Sequence, residues 1–187
     1  MGRLARGLVS MSVAVMLAAC GGDTMEQLEV HVHQAGAQVL TAYKQRERLV
    51  PELLDAVDWV MSYEQEVLDE LSVAYKQGQV NWSGEARRVH PQEIREVLFP
   101  QLALSSALAE FLITTERYPQ LRIDPNFQSL VTQLQSAESN IADQQLNYQR
   151  QLEQYNDYIE TFPHMITAKI LGYEKQPLLL EVWDPSH

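Results

Sequence analysis

Apolar positions recur by threes and fours along most of this chain, and that rhythm predicts helices almost throughout. The clearest run is Phe127, Leu130, Leu134, Ala137, Ile141, Gln145, Tyr148, Leu152, Tyr155, Ile159 and Phe162, with one slip around Ile141–Gln145. Asp124 and Pro125 supply an N-cap and a first-position proline, and Pro163 closes the run. At 1.5 Å per residue this helix is expected to span roughly 55–60 Å. Leu104, Ala107, Leu108, Phe111, Leu112 and Thr115 form the face of another helix, from about Gln92 to Arg117. Phe99-Pro100 is expected to kink it or split off its first turn, and Tyr118-Pro119 to stop it. Upstream, Glu26 to Gln77 reads as helix interrupted at Pro51, which lacks an N–H and crowds the carbonyl four residues back, and so kinks or breaks the helix there. Beyond Pro51, Leu53, Val57, Val60, Glu64, Val67, Leu71 and Ala74 make a seam whose one polar member is Glu64.

The rhythm fails in three places. Gly78 to Pro91 is irregular and longer than most connections. It reads as a mobile loop, with Trp82 alone among polar residues as the candidate partner contact. His164 to Leu171 is a short amphipathic helix with Gly172 as its C-cap. Leu178 to Trp183 is a single β-like run, too lone to found a sheet and expected to pack along the helices. The fold class is therefore all-α, a bundle of three to four long helices with a short C-terminal one.

The first residues follow a different logic. Arg3 and Arg6 precede an apolar stretch, Leu8 to Ala19, of about a dozen residues, whereas a spanning helix needs roughly 20. It reads as a leader rather than as fold. Leu17-Ala18-Ala19-Cys20 has the form of a bacterial lipobox, at which the cysteine is acylated and the preceding peptide removed. A conventional Ala-x-Ala cleavage site is the competing reading. A buried structural role for Cys20 is disfavoured by the polar Gly21-Gly22-Asp23-Thr24 that follows. The expected organisation is a leader over 1–19, a lipidated tether over 20–25, a helical bundle over 26–173 and a tail over 174–187. Gly21, where an aspartate would signal inner-membrane retention, favours the outer membrane facing the periplasm over the inner membrane.

Charge narrows the partners. The chain carries −11 at pH 7. The leader holds two of the 14 Lys and Arg and none of the 25 acids, so the remaining residues carry −13. Nothing in that balance attracts nucleic acid or an anionic lipid surface. With the single cysteine assigned to acylation, no internal disulfide is available, and stability must come from packing.

No residue cluster reads as an active site. His31 and His33 lie about 200° apart on a helix and cannot chelate one metal. His90, His164 and His187 have no zincin-type partner, and there is no phosphate loop or Gly-x-Ser-x-Gly elbow. A carboxylate metal site in the bundle would need a Glu-x-x-His, which is absent, leaving only Glu138 to join Glu64. The better reading of Glu64 is a buried polar layer that fixes helix register, in which it pairs with Arg46 or hydrogen-bonds Gln145 or Tyr148. Tyr148, Tyr155, Tyr158 and Tyr173 read as packing rather than as a ligand box. Glu64, Glu66, Asp69 and Glu70 read as a solvated face. The expectation is a protein that is not an enzyme, with no metal, cofactor or small-molecule ligand.

The run Glu116-Arg117-Tyr118-Pro119-Gln120-Leu121, then Asn126-Phe127, Leu130, Glu138, Asn140-Ile141-Ala142, Tyr148, Tyr155-Asn156, Phe162-Pro163, Ile166, Ala168 and Leu171-Gly172-Tyr173 resembles the LemA family. Arg46, Leu49-Val50-Pro51, Leu53, Val57, Glu64 and Leu68 fit its pattern in the first half, so the resemblance covers roughly residues 30–173. It implies an antiparallel up-and-down bundle tethered at its N-terminus, in a family associated with the bacterial envelope, stress and, in one branch, magnetosome membranes. The chain departs from the family at Arg48, Glu52, Gln145 and Gln149, in the 78–91 loop, and in having a lipobox where members keep an uncleaved membrane helix. The function expected is a non-catalytic, lipid-anchored envelope scaffold with a protein partner. The alternative is a periplasmic small-molecule- or metal-binding module, or a hydrolase of unrecognised type.

Overall fold

Prolines and polar caps set most of the helix boundaries. A computed structural model describes residues 2–61, 64–82 and 88–179, with 2–21 in backbone only. Among the described residues there are six helices and no strand: α1 Gly2–Val57, α2 Gln65–Gly78, α3 Pro91–Thr115, α4 Pro119–Ile123, α5 Pro125–Glu160 and α6 His164–Leu171.

α1 departs from the sequence expectation at both ends. It begins well before Glu26 and runs unbroken through residues 20–25, where a tether was expected, and Met25 is fully buried. It also passes through Pro51 without ending. A proline in a helix interior costs about 3 kcal/mol. Val50, Leu53 and Val57 are all fully buried around it, and each such side chain contributes about 1.5–3 kcal/mol on burial, so packing wins. The chain turns six residues later instead. The Val57 carbonyl accepts from both Val60 and Met61 N–H at 2.9 Å, and Met61 is buried in the turn. The seam read as continuous from Leu53 to Ala74 is thus two helices, with Val60 and Glu64 between them.

The other boundaries follow local chemistry. Glu93 accepts from His90 N–H at 3.1 Å and Pro91 occupies the first position, which starts α3. Pro100 lies within α3 and does not split it. Asp124 Oδ1 accepts from Phe127 N–H at 2.8 Å and caps α5. Gly172, at φ 81°, closes α6, a conformation that favours glycine. Among the described residues α3 is the one helix long and apolar enough to cross a membrane, yet Ile94, Gln101, Leu104, Leu108 and Phe111 are buried within the protein.

The chain forms two compact units. One comprises Gly36–Leu146 and the other Met1–Ala35 with Asn147–His187, so α1 and α5 each contribute to both. The core of the first unit joins Val50, Leu53 and Val57 of α1 to Leu71 of α2, Leu104, Leu108 and Phe111 of α3, Leu121 of α4 and Phe127, Leu130 and Leu134 of α5. Gly78 ends α2 against α3, where an added Cβ would lie 3.3 Å from Leu104 Cδ2. In the second unit the buried side chains include Met25 and Val32 of α1, Tyr148, Leu152, Tyr155 and Ile159 of α5, Ala168 of α6, and Leu179.

Along α5 the three-four seam is buried from Phe127 to Ile159, with Ala137 and Gln145 partly covered. Phe162, its last expected member, is 72 % exposed. The tail is pinned to α5 as far as it is described. Asn156 donates to the Gln176 carbonyl at 2.7 Å and accepts from its N–H at 2.8 Å, and Gln149 accepts from Leu179 N–H at 3.1 Å. Residues 180–187, including most of the β-like run, lie outside the described residues.

Candidate functional site

The register Val39, Tyr43, Arg46, Val50, Leu53 puts an arginine where the core face of α1 demands an apolar residue. Its side chain is wholly buried. A buried guanidinium is costly wherever its donors go unmatched; here, among the described residues, Nε has no partner and both Nη atoms do. Nη1 donates to Glu138 Oε1 of α5 at 2.7 Å and to Ser105 Oγ of α3. Nη2 donates to the Gln101 carbonyl at 2.9 Å and to the Gln101 side-chain oxygen. The Gln101 amide in turn donates to the carbonyl of Gly78 at the end of α2. One side chain therefore connects four helices, reaching α3 and α5 directly and α2 through Gln101.

Tyr43 and Gln145 extend the cluster. The Gln145 amide donates to the Tyr43 hydroxyl oxygen at 2.7 Å, and the Arg46 guanidinium lies 5.9 Å from the Tyr43 ring centroid, within cation–π range. Burial pushes the Tyr43 hydroxyl above its ordinary pKa, against the opposing pull of the Gln145 bond and of Arg46. A cavity of about 110 Å³ lies beside these residues, lined by Gln101, Ser105, Glu138 and Gln145 among others. That is room for a few waters at about 30 Å³ each, and well below the roughly 300 Å³ at which small-molecule sites begin. A groove of about 500 Å³, lined by Leu112, Phe127, Gln128 and Val131 with Glu116 and Arg122, does reach that size.

The layer proposed from sequence named Arg46, Glu64, Gln145 and Tyr148. The structure brings Arg46 into one cluster with Gln145 through Tyr43. It places Glu64 elsewhere. Glu64 stands just before α2, where it accepts from the Tyr118 hydroxyl at 2.9 Å and pairs with Arg117 at 3.3 Å. The break after Val57 moves Glu64 off the seam, which is why its expected pairing with Arg46 does not form. The bond to Glu64 raises the Tyr118 hydroxyl pKa, because it holds the phenol as a donor to a negative charge. Tyr148 is buried in the other unit.

Trp82 also differs from expectation. It is 8 % exposed, and its indole N–H donates to Thr41 Oγ1 at 3.1 Å, so it closes the loop onto α1 instead of offering itself to a partner. Buried Glu47 completes this clasp, accepting from Lys44 at 3.0 Å and from Val80 N–H at 3.2 Å, while Lys44 donates to the Val80 carbonyl at 3.1 Å. The exposed indole is Trp59, at 65 %, in the turn after α1. Loop residues 83–87 lie outside the described residues.

The tyrosines of α5 pack. Tyr155 is buried and donates to the Glu174 carbonyl at 3.1 Å, and burial with nearby Glu29 pushes its hydroxyl pKa up to about 12. Tyr158 stacks on His164 with ring centroids 4.1 Å apart. His31 is exposed and His33 buried, in line with the opposite faces read from their spacing. Among the described residues no three His, Cys, Asp or Glu approach closely enough to hold a metal ion. Leu17, Ala18, Ala19 and Cys20 lie in α1, and their side chains fall outside the described residues.

Sequence reasoning missed Gln101, Ser105 and Glu47. Gln101 had a readable signal. It falls three residues before Leu104 on the same face, a lone amide in an apolar stripe, and so implies a buried partner for an ion or a backbone group. Lys44 and Glu47 carried an i,i+3 pairing signal, but nothing in the sequence says that their target is the backbone of Val80. No curated protein matches this chain. A family model does, over residues 35–184, and its description is the LemA family.

Proposed function

Since the chain belongs to the LemA family, we propose that it is a lipid-anchored scaffold of the bacterial envelope, an antiparallel bundle with no reaction of its own. One observation carries the scaffold reading. The most chemically provocative group in the interior, the buried Arg46, spends its charge on joining helices to one another. A catalytic or ligand-binding arginine would aim at an open space of ligand size, whereas the cavity beside this one is about 110 Å³.

The anchor rests on Leu17-Ala18-Ala19-Cys20. Each buried acyl methylene contributes about 0.8 kcal/mol, and two or more chains hold stably. Gly21 after the cysteine supports the outer membrane facing the periplasm as the site. Trp59, exposed in the α1–α2 turn, replaces Trp82 as the aromatic offered to an envelope partner.

Mass spectrometry of protein from native membranes tests the anchor. The expected species begins at residue 20 with acyl chains on the cysteine, and Cys20→Ser leaves unprocessed precursor. A mature chain starting at residue 20 with a free thiol overturns it. Crosslinking in the intact envelope, with identification of the captured protein, tests the scaffold. Stoichiometric zinc or iron in the purified protein, or turnover of a substrate, moves the reading to the alternative, whose ligand would use the groove at Leu112, Phe127 and Val131.

A further inference from the structure

α6 shows its apolar side chains to the outside. Met165, Ile166, Ile170 and Leu171 are each about half exposed or more, with Ile170 at 78 %, and Phe162 just before the helix is at 72 %. Ala168 is the one buried residue of the helix. At 100° per residue, Ile166 and Ile170 bracket the direction opposite Ala168, so they point straight away from the surface on which α6 rests. A soluble helix normally does the reverse.

Loose attachment does not explain this. The first residue of α6, His164, stacks on Tyr158 of α5. Beyond the helix, Tyr155 and Asn156 hold Glu174 and Gln176 by three hydrogen bonds. α6 is therefore clamped at both ends with its apolar face outward, and a contiguous patch of this kind marks a contact with something apolar.

Two observations identify what that is. A Cβ built on Gly22 would lie 3.4 Å from Leu171 Cδ1, so the end of α6 sits against the chain two residues after Cys20. And α6 carries no acid, only Lys169, in a chain whose net charge is strongly negative. An acyl group at Cys20 would enter the bilayer beside this patch. We infer that Phe162 and the outer face of α6 form a second membrane contact, which inserts among lipid acyl chains at the interface and orients the protein on its anchor. This rests on the anchored reading above, which brings the patch to the bilayer. An uncharged lipid surface is the occupant that fits, because the net negative charge of the protein opposes an anionic one.

The test uses an environment-sensitive fluorophore on Ile166→Cys, Ile170→Cys and, as control, Gln154→Cys, which is exposed on α5. The acylated Cys20 cannot take the label, and intact mass records whether acylation is present. The labelled protein is reconstituted into phosphatidylcholine vesicles with and without brominated acyl chains. Quenching several-fold greater at 166 and 170 than at 154 is expected. Equal quenching at all three in acylated protein overturns the inference and leaves the anchor standing. If mass shows no acylation, the anchor reading fails, and the labels are repeated in a Cys20→Ala chain. Selective quenching at 166 and 170 there supports α6 as a contact in its own right, and its absence overturns it. Burial of the label without vesicles, together with a doubled mass by light scattering, makes the patch a self-interface and overturns the inference.

Discussion

In Gly36–Leu146 the polar interior is charged and centres on one arginine that reaches side chains and a carbonyl on neighbouring helices. In the unit formed by 1–35 and 147–187 it is largely neutral, with Tyr155, Asn156 and Gln149 of α5 holding the backbone of an irregular tail. The difference follows from what each must position. Helices already satisfy their own backbones, so bracing them takes side chain against side chain, and a guanidinium supplies the most donors in a fixed geometry. A segment without regular structure carries open N–H and C=O groups that amides and a phenol match without the cost of burying charge.

Arg46→Met should break this comparison most sharply. Loss of one partner from a buried pair costs about 3–5 kcal/mol, and the lower end is expected because the Glu138 side chain is 36 % exposed and partly rehydrates. Urea unfolding measures it, and adding Glu138→Leu should recover part of the loss. A single variant as stable as the parent would mean that the charge braces nothing. Asn156→Ala removes both bonds to Gln176 and should cost about 1–3 kcal/mol. Its signature is local, with faster amide exchange at Gln176 and Leu179 while the amides around Arg46 stay protected.

The smallest effect concerns Tyr155. A phenol becomes charged by losing its proton, and burial holds the folded value at about 12, above the ordinary 10. The resulting stabilisation is fully present below pH 10 and is lost as pH rises toward 12. It is on the order of 1 kcal/mol. Thermal unfolding between pH 9 and 12 should show this loss in the parent and a flatter profile in Tyr155→Phe.

The helical class, the caps at Asp124 and Gly172, and the limits of the Gly78–Pro91 loop were legible because each depends on residues within one turn. The helix does not break at Pro51, and Glu64 is not on the seam, for one reason. The proline penalty is local and readable, whereas the burial of Val50, Leu53 and Val57 that overrides it depends on helices distant in sequence. Once the turn moves from Pro51 to Val57, Glu64 changes partner. Arg46 could be singled out as an ion on a core face, but its partners Gln101 and Ser105 depend on how α3 is aligned with α1. Trp82 looked stranded among polar neighbours because Thr41, whose hydroxyl oxygen receives its indole N–H, is 41 residues away in sequence.

Two of the six helices, α1 and α5, are common property of both units. Melting such a helix at its middle would strand four carbonyls on one side and four amide protons on the other. In α1 the boundary between the units falls at Gly36, a residue that weakens a helix by about 1 kcal/mol relative to alanine. A lesion confined to the side chains that hold the tail, such as Asn156→Ala, leaves both helices continuous and stays local.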